Sequence, residues 1–145
     1  MKFLRNLIML TLLAFLLSAC SSGEKTATKS KEKYAPIPQS AIQSTIDDMK
    51  TREHIKDATF TVAKNKIEMK LTVDDPNVDK QSAQSYADSY LRVISNYVDG
   101  SNPKASGDYG KVYDGYYVHI TVEDTQGMTL IEGDKYPSFK SITWQ

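Results

Sequence analysis

Cysteine, histidine and tryptophan are scarce in this 145-residue sequence, with one, two and one copies respectively. The lone Cys20 excludes a disulfide and any cysteine-based metal site in the folded part, so stability must come from packing. Catalytic signatures are missing too: no H-E-x-x-H, G-x-S-x-G or phosphate-loop pattern occurs. Positive charge is not in excess, because 18 basic residues balance 18 acidic ones. That excludes the basic face on which nucleic-acid binding depends. Long apolar runs are also lacking. The uncharged stretch Leu7 to Ala19 has 13 residues, against the roughly 20 that a transmembrane helix needs. No metal, no other cofactor and no enzymatic activity is expected from this inventory.

What the chain does contain begins at its first residue. Met1 to Arg5 carries two positive charges and no negative one, and the uncharged stretch follows directly. A positive start, a short apolar run and small residues before a cut are the parts of a secretory signal. The run closes with Leu17-Ser18-Ala19-Cys20, which resembles the lipobox of bacterial prolipoproteins: an aliphatic residue, two small residues, then cysteine. The resemblance implies that the Cys20 thiol receives a diacylglyceryl group and that a peptidase cuts before it. Residues 1–19 are then a signal peptide and Cys20 is the lipid-attachment site. Two acyl chains hold a protein stably where one holds it weakly. The expected location is therefore the extracytoplasmic face of a cell membrane, anchored and not spanning. Cleavage removes Lys2 and Arg5 and leaves a slight negative excess.

Residues 20–36 are read as the lipidated end and a flexible tether. Ser21 to Ala35 is small, polar and lysine-rich, with too little apolar area to offset the entropy of ordering. Lys25, Lys29, Lys31 and Lys33 either touch anionic headgroups, worth up to about 1 kcal/mol each, or simply keep the linker soluble. Pro36 and Pro38 mark the entry to a single domain over 37–145.

Within that domain, Ser40 and Gln43 fit a capping box, followed by Ile42, Ile46 and Met49 at helical spacing. A first helix is predicted over about Ser40–Glu53. Phe60 and Val62, then Ile67, Met69, Leu71 and Val73, alternate with polar residues and predict a hairpin. With Asn65-Lys66 as its turn, Val62 faces Met69 and Phe60 faces Leu71. Ala83, Tyr86, Ala87, Tyr90, Leu91, Ile94, Tyr97 and Val98 form the stripe of a long second helix. Either Asp75 or Asp79 caps it, and Asp99-Gly100 ends it. A strand is predicted from Tyr113 to Glu123, with Val118, Ile120 and Val122 on one face and His119 and Thr121 on the other. Met128 to Glu132 returns as a fourth strand in which either Leu130 or Ile131 points inward, and the tail to Trp144 supplies a short edge strand. The order helix, strand, strand, helix, strand, strand predicts an α+β sandwich, with the helices packed on one face of a mainly antiparallel sheet. In outline it is similar to the BON-type modules of bacterial envelope proteins and, less closely, to cystatin-like folds.

Three features bear on chemistry. Asp75-Pro-Asn77-Val-Asp79 matches the first ligand positions of an EF-hand loop, but Lys80 and Tyr86 stand where glycine and glutamate are required, so helix-start turn chemistry is the better reading. His119 is expected at the surface, because a catalytic histidine needs a nucleophile or an orienting carboxylate within reach. Nine tyrosines are the third feature. Tyr86, Tyr90 and Tyr97 are expected in the core. Tyr109, Tyr113, Tyr116 and Tyr117 crowd a glycine-rich segment, and tyrosine gives contact area at low entropic cost. Parity puts Tyr116 with the buried Val118 and Tyr117 with His119. Tyr109, Tyr113, Tyr117 and His119 are thus the candidate binding surface. The expected function is a membrane-tethered, non-catalytic module that binds an envelope protein or surface ligand. The alternatives are an accessory subunit of an envelope machine and, further off, a cell-wall hydrolase.

Overall fold

A computed structural model describes residues 34–104 and 107–145, which lie within one compact unit, Glu32–Gln145. The expected signal peptide, the Leu17–Cys20 motif and the tether up to residue 33 lie outside the described residues. Helix α1 spans Gln39–Lys50 and strands β1 and β2 span Ile55–Ala63 and Lys66–Val73. Helix α2 covers Lys80–Asp99, a single 3-10 turn covers Lys111–Tyr113, and β3, β4 and β5 cover Tyr117–Asp124, Thr129–Lys135 and Thr143–Trp144.

Helix α1 starts differently from the capping-box expectation. Pro38 is its N-cap, and its carbonyl accepts from the amides of Ala41 and Ile42 at 3.0 and 3.2 Å. Proline's fixed φ starts the helix early, so Ser40 already has helical geometry and makes no capping bond. Gln43 instead donates to Asp47 at 2.8 Å. The helix also stops at Lys50, short of Glu53, because the chain turns at Thr51 and passes through left-handed backbone at His54, φ 66°.

The hairpin turns at Lys64-Asn65, with Lys64 at φ 56°, one residue earlier than expected. Val62 therefore faces Ile67, Phe60 faces Met69 and Ala58 faces Leu71. Each partner moves by two residues, so every side chain keeps its face. That even shift is why the apolar alternation could not distinguish the two registers. Asp79 caps α2, accepting from the Ser82 amide at 2.7 Å, and Gly100 closes it in left-handed backbone at φ 73°. Asp75 accepts from the Asn77 amide at 2.8 Å, the turn chemistry expected there.

The sheet has the order β1-β2-β3-β4-β5, antiparallel except for the central parallel pair β2/β3. A parallel pair needs a crossover, and α2 supplies it. Tyr113 falls in the 3-10 turn and not in the strand, which begins at Tyr117 after Gly115 at φ 82°. In β4 it is Ile131 that is buried, opposite Val122. A bulge between Val122 and Glu123 leaves Leu130 half-buried, so the two readings of this strand differed by the bulge itself. Gly133 is required where β5 crosses it, since an added Cβ would stand 2.6 Å from Ile142 and the Trp144 ring.

The two faces of the sheet differ completely. Ala58, Phe60, Ile67, Met69, Leu71, Val73, Val118, Ile120, Val122 and Ile131 form one core with Ala41, Ile42 and Met49 of α1 and Ala83, Ala87, Leu91 and Ile94 of α2. The other face carries Thr61, Glu68, Lys70, Tyr117, His119, Thr121 and Asp134, and neither helix of the described residues packs on it. Of the helix tyrosines only Tyr90 is fully buried. Tyr97, expected in the core, is 41% exposed and donates to Asp48 of α1 at 3.1 Å.

Candidate functional site

Two of the four candidate surface residues belong to the core. Tyr113 is fully buried and its hydroxyl donates to the Leu91 carbonyl at 2.9 Å. Tyr109 is 4% exposed, donates to Asp88 at 2.7 Å, and lies with Arg92 5.9 Å above its ring. Burial raises both phenolic pKa values. The glycine-rich segment folds back over the C-terminal half of α2 instead of standing clear of it. Ser95 donates to the Tyr109 carbonyl at 2.9 Å, and Gly110 approaches so closely that a Cβ would stand 2.4 Å from the Ser95 oxygen. Half of α2's apolar stripe needs a cover, and these rings provide it. Lys135 lies beneath the same segment, 3% exposed, with Nζ donating to the Tyr113 carbonyl at 2.9 Å. Burial pushes its pKa down.

The other two candidates meet on the open face. Strand alternation turns Tyr117 and His119 to one side of β3, and antiparallel pairing puts Asp134 of β4 directly opposite His119. Asp134 is the centre of the cluster. Its Oδ1 accepts from the Tyr117 hydroxyl at 2.5 Å and faces His119 Nδ1 at 2.9 Å, while Oδ2 accepts from Gln145 at 3.2 Å. His119 Nε2 in turn lies 3.2 Å from the Thr121 hydroxyl. With the imidazole proton on Nδ1, the carboxylate orients the ring and Nε2 accepts from Thr121. Burial resists ionisation of Asp134, but the bonds from Tyr117 and His119 outweigh it and hold the carboxyl below its ordinary value. The same carboxylate pushes Tyr117 up to about 12, chiefly through their hydrogen bond.

Hydroxyl, imidazole and carboxylate stand here in the order of a hydrolytic triad. β3 is paired on both sides, with Thr121 opposite Lys70 in β2 and Glu132 in β4. Its amides are thus spent on the ladder and are not free to hold an oxyanion. What the arrangement does provide is a fixed set of donors and acceptors whose rotamers are already locked, so a ligand orders little on binding. Among the described residues no group of three or more histidine, aspartate, glutamate or cysteine side chains is placed to hold a metal.

Sequence reasoning missed Asp134, because the fourth strand was expected to end at Glu132. It also passed over Tyr136 and Phe139, which are 53% and 62% exposed. Tyr117, Tyr136 and Phe139 form a row, with ring centroids 5.5 and 6.4 Å apart. The aromatic tail was the available signal, but it read as edge-strand packing.

The fold is thus α+β, with a helix-covered core and one sheet face that is bare of helix among the described residues. Compared with known proteins, the chain matches no family model, no curated protein and no solved structure. Among the described residues no helix is long and apolar enough to cross a membrane.

Proposed function

We propose that this chain is a lipid-anchored extracytoplasmic protein whose folded domain is a non-catalytic binding module of the cell envelope. The anchor rests on Leu17-Ser18-Ala19-Cys20 behind a charged start and a short apolar run. The binding role rests on one observation above others, the preordered, half-exposed Tyr117–Asp134–His119 cluster on the sheet face opposite the two described helices. Buried hydrogen-bond networks rigidify a core, but this one lies half-exposed, where rigidity serves recognition. Its partner is an envelope protein or surface ligand, not nucleic acid.

Metabolic labelling with a radioactive fatty acid tests the anchor. Cys20→Ser abolishes the label, and equal labelling of variant and parent refutes the lipid reading. Capture of envelope partners by the detergent-solubilised protein tests the face. His119→Ala and Asp134→Asn weaken capture, and unchanged capture by both refutes the binding role.

A second reading, an accessory subunit of an envelope machine, is favoured by β1. This nine-residue strand, Ile55–Ala63, forms an outer edge of the sheet, and edge strands are templates for strand addition from another chain. Lysine in place of both Thr59 and Thr61, which protects an edge from strand addition, then weakens assembly while leaving capture through His119 intact.

A further inference from the structure

We propose that the end of the domain where the chain enters it is a docking surface for an anionic lipid bilayer. The proposal rests on the lipid-anchor reading for the way the surface reaches the membrane. Register defines the end: Lys66 pairs with Tyr117 and Val118 with Lys135, so the start of β2, the start of β3 and the finish of β4 lie together. The β1–β2 turn joins them, since the Asn65 carbonyl accepts from the Tyr117 amide at 2.9 Å. The chain arrives at this same end. The Tyr34 ring stacks 4.8 Å from Tyr116, whose hydroxyl donates to the Ala35 carbonyl at 2.8 Å.

Three further observations point to lipid. The first is the aromatic row: Tyr136 and Phe139 are the most exposed rings of the described residues and lie beside Tyr117 at this end. Aromatic side chains of this kind settle at the level of lipid headgroups. The second is charge. Lys64 and Lys140 are exposed and have no ion-pair partner among the described residues, while Lys66 sits 5.9 Å over the Tyr117 ring and pairs with Glu68 at 2.7 Å. Asp99, Asp108 and Asp114 occupy the loop side of this end, where they line one pocket with Lys111, Lys135 and Lys140. The opposite end is acidic, carrying Glu53, Asp74, Asp75, Glu123 and Asp124 around His54 and the close of β2 and β3. The third is reach. Thirteen residues, 21–33, separate Cys20 from Tyr34, and they include four lysines against two glutamates. Fully extended they span about 45 Å, so a lipid on Cys20 keeps this end at high effective concentration near headgroups. Docking in this way points the acidic end outward and leaves the Tyr117–His119–Asp134 face standing beside the membrane, open to a partner.

The test uses the full protein, purified and mixed with vesicles of phosphatidylcholine alone or with one quarter phosphatidylglycerol. A fluorophore is placed at Ser138→Cys, next to Phe139, or at Gln126→Cys on the acidic end, and the vesicles carry brominated acyl chains as quencher. The expected result is flotation with both vesicle types, with quenching at 138 only in the anionic ones and none at 126. High salt reverses that quenching, and Lys64→Glu with Lys140→Glu lowers it, each lysine contributing up to about fivefold in partitioning. Flotation with both vesicle types but no quenching at 138 overturns the docking surface and leaves the anchor standing. Flotation with anionic vesicles alone, lost in the double lysine variant, supports docking and refutes the anchor. Equal quenching at 138 and 126, or flotation with neither vesicle type, overturns the proposal.

Discussion

Tyr113 and Tyr117 stand four residues apart and end on opposite faces of the sheet. Tyr113 is buried among helix and strand side chains, and its hydroxyl is satisfied by the Leu91 carbonyl, with the Met69 sulfur 3.7 Å away. Tyr117 lies half-exposed on the bare face, where its hydroxyl helps fix Asp134 in place. The same residue type thus serves packing on one face and a polar array on the other. Burial decides which, because a buried hydroxyl must find a partner while a surface one is free to organise a site.

The comparison is broken most directly at its buried side. Tyr113→Ala should destabilise the domain by about 3–5 kcal/mol, the usual cost of emptying a large aromatic site, measured by chemical denaturation. A loss below about 1 kcal/mol would mean that the glycine-rich segment does not cover α2 as described. Tyr109→Ala should cost somewhat less, about 2–4 kcal/mol, because the ring is at the margin of the core and Asp88 regains solvent. If Tyr109→Ala instead left stability unchanged and weakened partner capture, Tyr109 would return to the binding surface.

The open face is sharpened by pH. Asp134 is held below its ordinary value of 3.8, so its contribution is complete above that value and is lost as pH falls through the lower folded value. Asp134→Asn should therefore flatten part of the acid limb of the stability curve. Tyr117 behaves in the opposite sense. Its pKa is raised from 10.0 to about 12, so its contribution is complete below 10 and is lost as pH rises through 12. Tyr117→Phe should remove that alkaline slope and cost under about 1.5 kcal/mol at neutral pH, read from melts at stepped pH. The smallest effect belongs to Phe139→Ala, within about 0.5 kcal/mol, since the ring is mostly exposed. A larger loss would assign the aromatic row to packing and not to a surface.

Much of the fold was legible because its signals are local. Alternation in 60–73 and 118–122, the stripe from Ala83 to Ile94 and Gly100 as stop are each written in neighbouring residues, whereas the choice between Asp75 and Asp79 as cap is not. Even Tyr116 inward and Tyr117 outward follows from parity along one strand. The hairpin register was not legible to the residue, since a shift of two preserves every face. The parallel pairing of β2 with β3 was also hidden, because nothing local states which strands meet across a helix.

The chain's own order of residues therefore determined the main element types, the α+β class and the inward faces of the first three strands, leaving the fourth open between Leu130 and Ile131. It also carries the Leu17–Cys20 motif, on which the proposed lipid anchor rests. Only the tertiary structure decided which tyrosines are surface. Tyr109 and Tyr113 sit among glycines that suggest an open loop, yet α2 leaves apolar stripe to be covered and the segment closes over it. Tertiary pairing likewise brought Asp134 to His119 across fifteen residues and gave the face its chemistry. Local physics sets what each residue prefers; contact between distant segments sets which preference is met, because burial is a property of the assembled fold.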